Sequence, residues 1–343
     1  MGSSGHYDKG GITASPTADS EGWNPDTELA TRPADTVLLL YHGVAGPGPD
    51  GHSRFSVSRD MFAAHLRLLR RLEKESAVQV LGLPAWWSGM AARARPVVSC
   101  FDDGGRSDYE HVLPLLSEFG FRASFFITPA RVGRPGYMDW TQIRALAAAG
   151  MHIECHGWDH VPLTRLAPAA LSTHLRVARH TLQQGAGAPV QFLAVPFGFW
   201  NRRVHDIAME SGYGALCTSH PGLARAGTLQ LKRNALRAST SVRQLQAWLQ
   251  GHRGTYARRI GRHWLLWTPK QILVRLHTPT ATPIPARSLP STPGPTRCLA
   301  PTYRARPLRR PRHRSVCLDS MLHPVLRCPR FTSRCARRGR CVK

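Results

Sequence analysis

The chain has 343 residues, enough for one large domain or two small ones, and 46 Lys and Arg against 21 Asp and Glu give it a formal charge of +25. Residues 252–343 carry +20 of that charge, with 21 cations and the single acid Asp319, leaving +5 on the first 251 residues. So uneven a distribution excludes reading the whole chain as a nucleic-acid binder; the body is an ordinary, mildly basic globular protein that carries a basic tail.

Residues 1–32 are rich in Gly, Ser, Thr and Asp and hold no apolar h-region, so they read as a disordered leader and not as a secretory signal. The longest early apolar run, Val37 to Leu40, is far too short to cross a bilayer, and a cytoplasmic location is the expectation. A domain is expected over residues 33–251, alternating short β-like runs with helix-like segments. Val37 to Tyr41 is a buried strand, and Ser58 can cap a helix with Phe62, Leu66 and Leu69 on one face and Met61, His65, Leu68 and Leu72 beside it. Val78 to Leu83 and Pro96 to Phe101 read as strands. Ser107 opens a helix through Val112, Leu115, Leu116 and Phe119, stopped by Gly120.

Farther on, Ala123 to Ile127 is a strand, and Thr141 to Ala149 a helix ended by Gly150. Met151 to His156 alternates, with Met151, Ile153 and Cys155 on one side and His152, Glu154 and His156 on the other. A helix over Leu171 to Gln184, a strand over Phe192 to Val195, a helix over Arg203 to Glu210, a strand over Tyr213 to Thr218 and a helix over Ser241 to Gln250 complete the pattern. Repeated strand–helix units make a parallel sheet with covering helices, open or closed into a barrel. Cys100, Cys155 and Cys217 each sit in an apolar run and read as small buried hydrophobes, not as a disulfide framework.

The remainder is different material. Residues 252–274 form a basic segment in which Tyr256 to Val274 can be helical up to or across Pro269, with an apolar patch at Trp264, Leu265, Leu266 and Trp267. Residues 275–343 are Arg-, Pro- and Cys-rich with no period, which reads as low-complexity, disordered chain. Excess Arg, Pro and Cys with almost no acid is also what GC-rich DNA yields out of frame, and a frameshift origin stays open. Weak contact of this tail with polyanions or a membrane surface is an expectation, through counterion release and the tryptophans; no motif for specific nucleic-acid recognition is present.

In both open and barrel forms of a parallel α/β sheet, ligands gather at the C-terminal strand ends. His42, Asp102, Asp103, His156 and Pro196 all fall just past expected strand ends, so the topology brings them to one rim. Adjacent carboxylates at Asp102 and Asp103 point in different directions, and a buried pair without a cation is costly. Asp103, His156 and His160 supply one carboxylate and two imidazoles, a donor set that suits Zn²⁺ with positions left for water and substrate. Asp102, next door, can take a proton from water made acidic by such an ion.

Phe101-Asp102-Asp103-Gly104, His156-x-x-x-His160 and Pro196-Phe197-Gly198 together resemble the polysaccharide deacetylase family, the NodB-homology or carbohydrate esterase 4 group. The similarity spans about residues 36–251 and includes Ala123 to Ile127, Leu146 to Gly150 and Gly212-Tyr213 beside the three motifs. It implies a distorted, seven-stranded (β/α) barrel and hydrolysis of N-acetyl groups on an acetylated oligo- or polysaccharide. Asp102 matches the catalytic base, and Asp103, His156 and His160 match the metal triad. The Phe197 N–H matches an oxyanion donor. Leu39-Leu40-Tyr41-His42-Gly43 is similar to the circularly permuted branch, which makes His42 the general acid. Trp140, Trp158 and Trp200 are candidates for stacking on sugar rings.

The chain also departs from the family. Gly157 stands where Ser or Thr usually braces the metal loop, Ala194 where an Arg often steadies the base, and Cys100 where Thr is common. The first two predict weaker bracing. Alternatives therefore remain: a deacylase of a lipid-linked sugar or another acylated amine, or a protein that binds glycans or polyanions without turnover.

Overall fold

Val37–Tyr41 (β1) is buried at all five positions, as an apolar strand packed on both faces must be. The computed structural model describes residues 35–46, 53–90, 92–250, 254 and 256–265; the expected leader over 1–32 and tail over 275–343 lie outside the described residues. After β1 come a short parallel pair, β2 (Gly43–Val44) and β3 (Ser56–Val57), then helix α1 (Arg59–Lys74). Ser58 caps α1, its hydroxyl accepting the Met61 N–H at 3.2 Å, and Phe62, Leu66 and Leu69 are buried beneath it.

Strand β4 (Val78–Val80) is shorter than its apolar run suggests, because the chain turns helical over α2 (Leu83–Trp87). Pro84 is the reason: its fixed φ and missing N–H suit the first turn of a helix. Leu83 and Trp86 are buried with the barrel-lining residues, and Trp87 packs edge-on against Phe192 at 5.8 Å.

Strand β5 (Arg95–Asp103) runs straight into the two carboxylates. A π-helical turn over Asp108–Val112 then leads into α3 (Leu113–Glu118), where one continuous α-helix was expected. The Leu113 N–H reaches the Asp108 carbonyl five residues back, and Pro114 beside it has no N–H to keep the α register. Then follow β6 (Ala123–Ile127), α4 (Trp140–Ala148), β7 (His152–Cys155), α5 (Pro168–Ala186), β8 (Phe192–Ala194), α6 (Arg202–Glu210), β9 (Ala215–Cys217), β10 (Asn234–Ala235) and α7 (Val242–Leu249). Capping boxes at Asp139/Gln142 and Ser241/Gln244 start α4 and α7.

The strands are ordered β10-β1-β5-β6-β7-β8-β9, all parallel, and β4 also pairs with the start of β5. Closure falls to a short segment that the sequence pattern does not reveal. Leu231 bridges Cys217 at the end of β9, while Asn234 and Ala235 pair with Leu39 and Leu40 of β1. The result is the expected distorted (β/α) barrel. Residues alternate along each strand: Val37, Leu39, Phe101, Phe125 and Leu193 meet the helices, whereas Leu38, Val98, Cys100, Phe126, Phe192 and Ala194 line the interior. The three described cysteines are buried and free.

Helical residues 256–265 (α8) are not a free appendage. Tyr256 is buried in the main core and donates its hydroxyl to the Trp248 carbonyl at 3.3 Å. Arg259 lies 3.7 Å from the Trp248 ring centroid and donates to the Ala235 carbonyl at 3.1 Å. Among the described residues, no helix is long and apolar enough to cross a membrane.

Candidate metal centre

Strand alternation aims Asp102 into the barrel, and the chain then has to turn sharply for Asp103 to share the rim. Asp103 does so with φ +78. His160 and Phe197 are also left-handed, at φ +63 and +62. These are three of the five non-glycine residues with positive φ among the described residues. Each such conformation costs about 1–3 kcal/mol and persists only where surrounding structure enforces it, so the strain is concentrated at one place.

Asp103, His156 and His160 each point one ligand atom at a common centre, all three atoms lying within 4.8 Å of one another. Asp103 Oδ1 is 3.5 Å from His156 Nε2 and 3.4 Å from His160 Nε2. His156 Nδ1 lies 2.9 Å from the Ala194 carbonyl, so it is the ring nitrogen that donates. In the neutral ring Nε2 then turns its lone pair to Asp103 Oδ1, which is buried without a hydrogen bond among the described residues. Two acceptors held this close need a cation between them, and an imidazole oriented by a backbone carbonyl is the ordinary support for a ligand. The donor set thus fits a divalent ion such as zinc.

Asp102 is gripped from the other side of the barrel. Arg233 donates from Nη1 to Oδ1 at 2.6 Å and from Nη2 to Oδ2 at 2.8 Å, and its Nε donates to the Thr218 carbonyl at 3.1 Å. The guanidinium also lies over Phe126, 5.0 Å from the ring centroid, and Arg233 is 1% exposed. The weak bracing expected from Ala194 is therefore not found: an Arg from the segment that closes the barrel holds Asp102. Burial alone would raise the Asp102 carboxyl, but Arg233, then His156, bring it below the usual range. The His156 imidazole is pulled down by burial and more strongly up by Asp102 and Asp103.

The metal loop is braced too, without a Ser or Thr at Gly157. His174 from α5 accepts the Trp158 N–H at Nε2, 2.8 Å away. A Cβ on Gly157, which has φ +74, would meet that same nitrogen and Pro196 Cγ at 3.4 Å. His42 stands at the end of β1, packed on Phe55 with ring centroids 5.1 Å apart. Burial lowers its pKa, and the Asp103 and Asp102 charges oppose that shift.

Two of the three expected stacking tryptophans are placed elsewhere. Trp158 is 4% exposed within the core, so neither ring face can meet a sugar. Trp140 packs its ring onto Gly185 of α5, between helices. Trp200 alone borders an open cleft, shared with His220 and Lys232. Beside Arg233, sequence reasoning missed Asp108, which heads the π turn. Both of its carboxylate oxygens are buried and unbonded among the described residues. Burial first, then Asp103 and Asp102, hold that carboxyl well above its ordinary value.

Residues 90–216 match the family model described as polysaccharide deacetylase. YxkH of Bacillus subtilis (strain 168), named for the same family, is 24% identical over 197 residues, which is 56% of this chain and 67% of that protein. The fold is similar to Streptococcus pyogenes deacetylase PplD in complex with acetate, with TM-score 0.57, 21% identity and coverage of 62% of this chain and 97% of that one. It is also similar to IcaB from Ammonifex degensii, with TM-score 0.55, 24% identity and coverage of 64% and 99%.

Proposed function

We propose that this chain, a hydrolase of the polysaccharide deacetylase family acting on carbon–nitrogen bonds, removes N-acetyl groups from an amino-sugar oligo- or polysaccharide with one divalent ion, zinc by its donor set. The observation that carries the reading is the Asp102–Arg233 pair, with bonds of 2.6 and 2.8 Å, set beside the Asp103, His156 and His160 donors. An anionic base held rigid next to a three-donor cation site is what water-driven amide hydrolysis requires. Acetate, the product of such a reaction, is the ligand named for the streptococcal relative.

Asp103, His156 and His160 would hold the ion, which supplies positive charge to acidify water and polarise the acetyl oxygen. Asp102 takes the proton of the attacking water. Its Arg233 clamp keeps one carboxylate orientation and prevents the side chain from collapsing onto the donors. The Phe197 N–H, presented by a left-handed turn at φ +62, donates to the developing oxyanion. His42 delivers a proton to the nitrogen of the departing sugar amine. It sits close enough to Asp102 and Asp103 to feel both charges, which offset part, not all, of the lowering that burial imposes.

The test is acetate release from N-acetylglucosamine oligomers. Release is expected to stop with a chelator and return with zinc. No release from any acetylated amino-sugar oligomer, or release indifferent to the chelator, would overturn the reading.

A further inference from the structure

Beside the catalytic rim lies a cleft of about 380 Å³ whose walls come from three separate parts of the chain. Trp200 follows the Pro196-Phe197-Gly198 turn; His220, Gln230 and Lys232 come from the connection between β9 and β10; His263 and Trp264 come from α8. The volume falls in the range of ligand pockets. The rings are angled to one another: His220 lies 4.9 Å from His263 and 6.0 Å from Trp264, centroid to centroid. Trp264 is 58% exposed and meets His263 edge-on, ring centroids 5.7 Å apart.

The polar content has one sign. No carboxylate lines the cleft, and Lys232 makes no ion pair or side-chain hydrogen bond among the described residues. Gln230 Oε1 is buried from solvent without a partner among the described residues, so Lys232 carries the charge that the cleft offers a ligand. Flat ring walls at Trp200 and Trp264, with Lys232 as the one Lys or Arg among the described lining residues, match a pyranose ring that bears a single negative charge. A Lys, as a point charge, suits one carboxylate, whereas a doubly charged phosphate more often meets a bidentate Arg.

The cleft is wired to the catalytic centre. Lys232 precedes Arg233, which clamps Asp102, and the Thr218 carbonyl that accepts from Arg233 belongs to the residue whose hydroxyl accepts the His220 N–H at 3.4 Å. We propose that this cleft is a subsite for a uronic-acid unit adjoining the N-acetylated unit under attack, so that the substrate is an anionic glycan and not a uniformly neutral one. This inference rests on the deacetylase reading for the substrate's other half and on Trp200, Lys232 and Trp264 for the new half.

The experiment compares zinc-loaded full-length protein on two probes of equal length: a hyaluronan oligosaccharide, which alternates N-acetylglucosamine with glucuronate, and a chitin oligomer. Acetate release is expected to show a kcat/KM about tenfold higher on the hyaluronan probe, the scale of one charge-assisted contact. Lys232→Gln should lower the ratio of the two kcat/KM values about tenfold, chiefly through KM, and Trp264→Ala should weaken binding of the hyaluronan probe to the Asp102→Asn variant by calorimetry. Equal or better turnover of chitin, or a ratio unmoved by Lys232→Gln, overturns the subsite while leaving the deacetylase reading intact. Calorimetric binding of the hyaluronan probe that depends on Lys232, with no acetate released from either probe, supports the subsite and overturns the hydrolase.

Discussion

Arg233 and Asp102 form two parallel hydrogen bonds, at 2.6 and 2.8 Å, between residues 131 positions apart in the chain. Both side chains are almost fully buried. Removing one member of such a pair leaves the other charge buried and uncompensated, which costs about 3–5 kcal/mol. Arg233→Met should therefore lower the urea midpoint sharply. In Arg233→Lys, which keeps the charge but loses the fork, the acidic limb of kcat/KM should move to higher pH, because the cation that holds the Asp102 carboxyl low is weakened. An unmoved acidic limb would show that Asp102 is not the titrating base.

Zinc content separates the ligands from the base. Asp103→Ala, His156→Ala and His160→Ala should each lose the ion on dialysis, measured by elemental analysis. Asp102→Asn should keep it and lose roughly 10²–10⁴ in rate. A variant of the three donors that keeps stoichiometric zinc would remove that side chain from the site.

His42→Ala should be selective by leaving group. Acetate release from a glycan, whose amine needs a proton, should fall by about 10²–10³. Hydrolysis of 4-nitrophenyl acetate, whose leaving group needs none, should fall far less, and the alkaline limb of the glycan profile should disappear. Equal losses on both substrates would argue that His42 acts on the attacking side.

Glu154, on the interior face of β7, accepts the Gln191 and Phe192 N–H groups at 2.8 and 2.7 Å. Burial pushes its carboxyl up from 4.5 to about 8, against the pull of those N–H groups. Between these values the native state holds a proton that the unfolded chain has released, so stability falls as pH rises through that window. Glu154→Gln keeps the accepting oxygen and removes the fall, making the variant more stable on the alkaline side by on the order of 5 kcal/mol. Parallel pH dependence of the two urea midpoints would contradict this.

Gly157→Ser tests whether the loop wants the residue common in the resembling family. The backbone there has φ +74, which a serine adopts only with strain, and the new Cβ would just touch His174 and Pro196 at 3.4 Å. We expect a loss of about 1 kcal/mol or more in stability and no gain in rate. A faster or more stable serine variant would mean that His174 does not replace the missing hydroxyl.

The parts of the site that lie next to their own strand ends were legible in the sequence. Asp103 closes β5, and His156 and His160 soon follow the end of β7, so the topology of strand ends brings them to one mouth. The Ser58 and Ser241 caps were readable for the same local reason. Arg233 was not, because β10 pairs at only two residues and shows no period, and its partner is far away in the chain. Trp158 and Trp140 were legible only as candidates, because a tryptophan beside a motif looks the same whether its ring faces solvent or core. Pro84, read as a helix start, would have ended the second strand at Val80 where the structure ends it.

Leu83 and Trp86 fill the barrel interior together with Leu38, Val98 and Phe126, so entry is expected from the rim that carries the donors. If the chain deacetylates a glycan as proposed, acetate should lie deeper than the trimmed glycan, leave last and compete with the next substrate for the vacated chamber. Acetate that proved noncompetitive against glycan in steady-state kinetics would mean that a second exit exists.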